Sequence, residues 1–429
     1  MSREMKHMLF NTILAVWALT IFPSNAFSQS SNLLTLDECY QKARDNYPLL
    51  QQLELIKRTA DYSLENISKG IIPQFNIYGQ ASYQSNVTAF PIEIPNVIIQ
   101  TLEKDQYKIT GEIIQPLTDF GIINQQKAIA EAKAIIESRN LETELYKIKE
   151  RINQLYFGVL LVDGQLTQIE LLKKDVQIGL AKANAGISNG VTLKIAADQL
   201  QAELLTTDQR TVELQANRSA FLEMLSLFIG DDLAPTIELA SPTIQTLNAT
   251  INRAELATFA AQREVFSLQS ELVNKRNNPH LNAFFQGGYG RPGLNFLSNE
   301  FELFYVTGVR LNWNISNFYT SKKEKDILKL NENSVQILEE TFLLNTTIAL
   351  AQHNQEVQKY LTLLDTDSEI IALREEVKST ANSQLEFGSI TANDYLTYIN
   401  AEDKARQNRI YHTIQLLMAQ YTYLLTSGN

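Results

Sequence analysis

The chain has 429 residues, of which 44% are hydrophobic, and a formal net charge of −11 at pH 7. This acidic balance argues against nonspecific binding to nucleic acid. The single cysteine, Cys39, excludes an intrachain disulfide. It stands on the apolar side of an amphipathic segment, which predicts a buried structural thiol rather than a reactive one.

The N-terminus has the pattern of a secretory signal peptide over residues 1–28. Arg3 and Lys6 precede an apolar run, and small residues before Gln29 offer a cleavage site. An uncleaved N-terminal anchor is the alternative. No later stretch has 18 consecutive apolar residues, so a mature chain that enters a membrane would do so as strands.

Proline placement separates two tracts that can hold long helices. No proline lies between Pro116 and Pro235, and none follows Pro292. Because an interior proline would break a helix, these tracts suit uninterrupted helical rods. The remaining prolines cluster around short strand-like or irregular segments.

The chain also repeats one order of elements. A helix ends at Pro73 in the first half and at Pro279 in the second, and alternating segments follow each proline. We predict a first repeat at residues 29–230, a connector at 231–251 and a second repeat at 252–429.

Four segments alternate apolar and polar side chains, as half-exposed strands do. They are predicted at residues 74–84, 106–117, 280–290 and 302–315. Each is about as long as a tilted strand must be to cross a bilayer. A soluble, half-buried sheet has the same period and is the alternative.

In a membrane, one face of these strands would meet lipid and the other would meet water. Lys108, Glu112 and Arg310 fall on the polar face and are candidate lumen-facing residues. Open sheet edges are not tolerated in lipid, and the smallest membrane barrels have about eight strands. Several chains must therefore share one barrel.

Long helices follow each pair of strands. Over residues 141–169 the apolar positions alternate spacings of four and three, the heptad period of a left-handed coiled coil. A helical hairpin is predicted at residues 122–229 with a turn near 188–192. A second is predicted at 320–426 with a turn near 387–392.

The turns between these helices carry candidate functional residues. Gly190 and Gly388 suit helix C-termini, because glycine adopts positive φ without penalty. Asp198 and Asp394 begin the return helices, where carboxylates favour the positive end of the helix dipole. In an oligomer they would also form acidic rings at the tip of a tunnel. Both roles stay open for both residues.

No arrangement of residues points to catalysis, a metal or a cofactor. The histidines do not pair at helical spacing, and no phosphate-binding glycine loop is present. Gly287 and Gly288 are interpreted as strand kinks. The charge run at residues 147–151 is interpreted as a solvated helix face, and so are Glu375 and Glu376. We expect a protein that is not an enzyme.

The order and spacing of these parts resembles the outer-membrane efflux protein (TolC) family over nearly the whole mature chain. The parts that carry the resemblance are the helices ending at Pro73 and Pro279, the strands with Gly111 and Gly308, and the turns at Gly190 and Gly388. The second turn fits the family's pattern of a glycine followed by Asp394 and then Leu396. The first turn departs from it, with two extra residues before Asp198.

The resemblance implies a mainly helical fold with membrane strands, in which an α-helical coiled-coil barrel continues a twelve-stranded β-barrel. It implies a homotrimer with four strands per chain, located in the outer membrane and extending into the periplasm. It also implies passive conduction of cargo from an inner-membrane pump, of RND or ABC type, through a periplasmic membrane-fusion adaptor. A secreted coiled-coil spacer or adhesin without channel activity is the alternative.

Overall fold

The computed structural model describes residues 33–88, 101–243 and 245–429. The predicted signal peptide and the centre of the first strand-to-strand loop lie outside the described residues. In chain order the elements are β1 (Leu33–Leu34), α1 (Leu36–Asn46), α2 (Gln51–Ser68), β2 (Gln74–Tyr83), β3 (Asp105–Pro116), α3 (Ile122–Ser188), α4 (Lys194–Ile229), β4 (Glu238–Leu239), α5 (Ala254–Arg276), β5 (His280–Arg291), β6 (Glu302–Asn312), α6 (Asn317–Glu386) and α7 (Ala392–Ser427).

The two longest helices, α3 and α6, have 67 and 70 residues and contain no proline. At 1.5 Å per residue each is roughly 100 Å long. The heptad prediction for α3 is confirmed, because most of the predicted apolar positions are buried. These are Leu141, Ile148, Ile152, Leu155, Val159, Val162 and Ile169.

One antiparallel sheet holds the strands that precede the long helices, in the order β2-β3-β5-β6. Its register is continuous, pairing Gly111 with Ile77 on one side and with Gly287 on the other. The pairing also runs unbroken through Gly287 and Gly288, so the interpretation of these glycines as kinks is wrong. The Phe304 ring occupies the space that a side chain at Gly288 would fill.

The two faces of this sheet differ in chemistry. The register places Lys108, Glu112 and Arg310 on one face. The other face is an exposed apolar surface, on which Ile77 and Leu303 are more than four-fifths exposed. Its large side chains are Phe75, Ile77, Tyr83, Tyr107, Ile109, Phe285, Tyr289, Leu303, Tyr305, Val309 and Leu311. A surface of this kind is suited to lipid rather than to water.

The helices form a wall that continues the order of the strands. Next to the sheet, α2 contacts α3, α3 contacts α5, and α5 contacts α6. Towards the turns, α4 contacts α3, α3 contacts α7, and α7 contacts α6. Thus the neighbour of α3 on one side is α2 near the sheet and α4 near the turns. Its neighbour on the other side is α5 near the sheet and α7 near the turns. One edge of the wall is α2 with α4, and the other is α6.

The main apolar core lies halfway along the wall, where α1 packs against α3 and α4. Tyr156 is fully buried there, and its hydroxyl lies 2.7 Å from the carbonyl oxygens of Leu34 and Ala240. These carbonyls flank the parallel pair β1–β4, so Tyr156 joins the start of the first repeat to the connector. Cys39 is buried in the same core, as predicted, and burial raises the pKa of its thiol to about 12.

Pro48 ends α1, and a short turn separates α1 from α2. Two expectations need correction. The fourth strand ends at Asn312, short of the predicted residue 315. The charge run at 147–151 is not fully solvated, since Lys149 is half-buried against the rings of Tyr40 and Tyr146.

Replacing Tyr156 by Phe tests the role of its hydroxyl. The variant keeps the ring but removes the single hydroxyl proton that lies between the Leu34 and Ala240 carbonyls, so the free energy of unfolding should fall by about 1–2 kcal/mol. Thermal unfolding followed by far-ultraviolet circular dichroism measures the loss. Tyr62→Phe, at an exposed position, is the matched control and should unfold as the original chain does. Equal midpoints for both variants would contradict the assignment.

Candidate functional site

The helix-to-helix turns have the same backbone geometry in both repeats. Gly190 has φ 74° and Gly388 has φ 66°, the left-handed conformation that favours glycine. In each turn the amide after the glycine donates to a carbonyl five residues earlier: Val191 to Gly186, and Ser389 to Gln384. These bonds close α3 and α6 in the manner of a Schellman motif. Backbone conformation therefore requires both glycines.

The two candidate aspartates have different surroundings. The Asp394 carboxylate accepts hydrogen bonds from the Thr391 hydroxyl at 2.7 Å and from the Thr391 amide at 3.1 Å. The Asp394 amide in turn donates to the Thr391 hydroxyl at 3.2 Å, which completes a capping box at the start of α7. The side-chain hydrogen bond and then the backbone hydrogen bond from Thr391 lower the pKa of Asp394. Asp198 is exposed and lies beyond the first turn of α4, away from the helix terminus.

Above the turns, a network of charged side chains ties one helical hairpin to the other. Lys378 of α6 lies 2.9 Å from the Asp175 carboxylate of α3 and 3.3 Å from the Glu402 carboxylate of α7. Arg406 of α7 is paired with Glu402 and with Glu375 of α6. The network thus links three helices, and Glu375 belongs to it rather than to an ordinary surface.

Tyr395 of α7 adds an uncharged tie at the same level. Its side chain is fully buried, and its hydroxyl lies 3.0 Å from the Asp175 carbonyl and 3.0 Å from the Asn382 amide oxygen. Gly179 makes room for the ring, since a Cβ there would lie 2.5 Å from the Tyr395 Cε1 atom. Lys182 of α3 reaches the Asn382 carbonyl at 2.9 Å. The two hairpins are therefore locked together by packing and by polar contacts.

Burial sets the electrostatics of this network. It raises the pKa of Glu402, against the opposing effect of Lys378. Burial alone would lower the pKa of Lys378, but hydrogen bonds and charges from Asp175 and Glu402 outweigh it and leave that pKa raised. Glu402 therefore takes up a proton at higher pH than an ordinary glutamate. Acidification then weakens its pairs with Lys378 and Arg406 before it affects exposed ion pairs.

The neighbouring carboxylate, Asp403, faces the other hairpin. It lies 3.1 Å from the Gln168 amide nitrogen of α3 and 3.8 Å from Arg210 of α4. Burial raises the pKa of Asp403 as well. Consecutive acids of α7 thus reach α6 on one side and the first hairpin on the other.

In the sheet, the polar face has its own charged cluster. Arg310 lies 3.4 Å from the buried carboxylate of Glu112, and Lys108 stands on the same face. The structure therefore brings all three predicted residues onto one surface. Within the described residues, no cluster of His, Cys, Asp or Glu has the geometry to hold a metal ion.

Sequence patterns did not reveal the network around Lys378. Its members lie on three helices, and Asp175 is separated from Lys378 by 203 residues. One sequence feature could have indicated the network. Glu402 and Asp403 are adjacent acids at positions of α7 that are buried. Buried carboxylates need partners, so such a pair predicts bonded neighbours without naming them.

Comparison with known proteins agrees with this geometry. The model of the outer membrane efflux protein family matches residues 39–231. No curated protein sequence matches the chain. Similar solved structures include CusC, with TM-score 0.67 and 14% identity, covering 91% of this chain and 91% of that chain. The CmeC outer membrane channel of Campylobacter jejuni has TM-score 0.63 and 12% identity, covering 93% and 86%. The open MtrE outer membrane channel of Neisseria gonorrhoeae has TM-score 0.66 and 12% identity, covering 92% and 89%.

The fold is similar to that of outer membrane channels, and one face of the sheet is suited to lipid. The model of the outer membrane efflux protein family matches the first half of the chain, and the predicted resemblance to this family is confirmed. The family match and the similar channel structures support an efflux channel of the outer membrane. A secreted coiled-coil spacer is not favoured, because the spacer does not account for the exposed apolar face of the sheet.

Replacing Thr391 by Ala tests the capping box at the second turn. The variant removes the hydroxyl that bonds Asp394, so the first turn of α7 should open more readily. Amide hydrogen exchange at residues 392–396 should become about fivefold faster. Thr391→Ser retains a hydroxyl and should exchange like the original chain. Equal exchange in the Ala variant would show that the Thr391 hydroxyl does not cap α7.

Proposed function

We propose that three copies of this chain close into one outer-membrane channel that conducts cargo passively. The observation that supports this proposal is a pair of edges that have no partner among the described residues, from β2 and β6 in the sheet to α2, α4 and α6 in the rods. In lipid, the backbone groups of an edge strand find no water to pair with. A single copy is therefore an incomplete wall.

The strand directions suit a closed ring. Successive strands alternate in direction, so β2 and β6 run opposite ways. When β6 of one copy lies beside β2 of the next, the new pair is antiparallel like the others. Every further copy adds the same contact, and the ring closes with lipid outside and the polar face inside. The number of copies in the ring, three, is taken from the family resemblance.

The helical edges show a matching pattern of exposed apolar residues. On each edge helix, large side chains recur seven residues apart, as in the seam of a coiled coil. They are Leu55 and Tyr62 on α2, Leu205 and Val212 on α4, and Leu330, Ile337 and Leu344 on α6, each between 57% and 66% exposed. Contact between α6 of one copy and α2 with α4 of the next would bury both stripes.

The proposal for how cargo reaches the channel is based on the family resemblance. We propose that an inner-membrane pump supplies the energy and that a periplasmic membrane-fusion adaptor joins the pump to the turns of this chain. The channel itself then acts as a conduit rather than a catalyst.

The turns are proposed as the closed tip of the tunnel. Gly190 and Gly388 lie at the ends of the rods farthest from the sheet, and in a trimer Asp198 and Asp394 would ring the aperture. The network around Lys378 holds the two hairpins together just above it. Opening then requires α6 and α7 to move away from α3, which breaks these contacts.

Ile337→Glu tests the proposed edge contact. The change places a charge in an apolar seam. It also removes the burial of an isoleucine side chain, which would stabilise each interface by about 1.5–3 kcal/mol. The fraction of trimer in native mass spectrometry should fall strongly. Gln336→Glu adds the same charge one position away from the stripe and should leave trimers intact. An unchanged trimer fraction for Ile337→Glu would contradict this contact.

Lys378→Met tests the lock above the tip. A hydrogen bond between charged groups contributes about 1.5–3 kcal/mol, so its loss should raise the population of open channels about tenfold or more. Conductance of trimers in planar bilayers measures the change. Lys329→Met removes an exposed lysine of the same helix and is the matched control.

Two results would contradict the gate. Lys378→Met channels that conduct like the original would show that the network does not hold the tip closed. In the same recordings, Asp394→Ala channels with unchanged current and unchanged block by divalent cations would exclude an acidic ring at the aperture.

A further inference from the structure

Two cations lie over aromatic rings on the polar face of the sheet. The Lys108 ammonium is 5.1 Å from the centroid of the Phe304 ring. The Arg310 guanidinium is 4.6 Å from the centroid of the Phe284 ring. Both distances fall within the range of cation–π attraction. Each cation is therefore held beside the sheet instead of extending freely from it.

Glycines make this arrangement possible. A Cβ at Gly288 would lie 2.5 Å from the Phe304 Cζ atom, and a Cβ at Gly308 would lie 3.2 Å from the Phe284 Cε1 atom. The two phenyl rings therefore occupy the space that side chains would fill at these positions. This close approach accounts for Gly288 and Gly308 within otherwise regular strands.

On the same face, Arg310 covers the negative charge of Glu112. Arg310 extends from β6 across β5 to Glu112 on β3, where their side chains approach to 3.4 Å. The side chain of Glu112 is 10% exposed, whereas that of Arg310 is 47% exposed. Lys108 is also exposed. The surface of this cluster is thus positive, although its formal charges include one carboxylate.

One other carboxylate lies on this face of the described strands. Glu302, at the start of β6, is half-buried and accepts a hydrogen bond from the Ser298 hydroxyl at 2.7 Å. The remaining polar residues of the face carry no formal charge at pH 7. They are Gln74, Asn76, Tyr78, Gln80, Ser82, Gln106, Thr110, His280, Asn282, Gln286 and Asn312. Exposed charge on the inner face is therefore mainly cationic.

We propose that Lys108, Arg310, Phe284, Phe304 and Glu112, here called the cationic band, make the barrel lumen favour anions. This inference rests on the proposed channel, in which the polar face lines the lumen. Closing the ring brings the bands of neighbouring copies around one narrow aqueous path, where like charges reinforce each other. The barrel part of the path then favours negatively charged ions and cargo, in series with the proposed acidic ring at the tip, although the chain as a whole is acidic.

Reversal potentials in planar bilayers test the cationic band. Trimers are recorded in a gradient of potassium chloride, kept dilute because salt screens fixed charges. Lys108→Gln should lower the ratio of chloride to potassium permeability about twofold. Arg310→Gln should lower it further, because it also uncovers the Glu112 carboxylate. Glu112→Gln should raise the ratio.

Charge-conserving variants are the matched controls. Lys108→Arg and Arg310→Lys keep the positive charge, so their reversal potentials should equal that of the original channel. Identical reversal potentials for the original, Lys108→Gln and Arg310→Gln channels would overturn the inference while leaving the channel proposal intact. Absence of any current from original trimers would instead overturn the proposed function.

Discussion

The need to pair backbone groups at open edges governs this structure. Lipid offers no hydrogen-bond partners, so a sheet that crosses it must have no free edge. The chain provides strands in the order β2-β3-β5-β6, and the outer edges of β2 and β6 are unpaired within the part of the chain that the structure describes. Neighbouring copies are the natural source of the missing partners, and a closed ring is the arrangement that leaves none unpaired.

The helical wall follows from the same constraint. Because each long helix begins where a strand ends, the order of strands becomes the order of helices. The edge of the sheet is thereby continued as an edge of the wall, with exposed apolar residues such as Leu55 and Ile337. The internal repeat accounts for this arrangement, since two copies of one unit give strands, rods and turns in matching positions.

The interior of the wall changes character along its length. Halfway along, Tyr156 lies in an apolar core that fixes α1 and the connector to the rods. Near the turns, Lys378 and Glu402 place buried charge between the hairpins. Buried ion pairs add little net stability compared with apolar packing, but they are strongly directional and can be broken by a proton or a partner. This difference places rigidity in the middle and a reversible contact beside the tip.

The sequence by itself determined the elements and their faces. Period-two alternation placed Lys108, Glu112 and Arg310 on one side of the strands, and the heptad spacing gave the buried positions of α3, because both signals are local. Tertiary structure alone decided which distant side chains meet. The contacts of Lys378 with Asp175, and of Arg310 with Glu112, join residues about 200 positions apart. Local periodicity carries no information about such pairs, whose partners are set by how the repeats pack together.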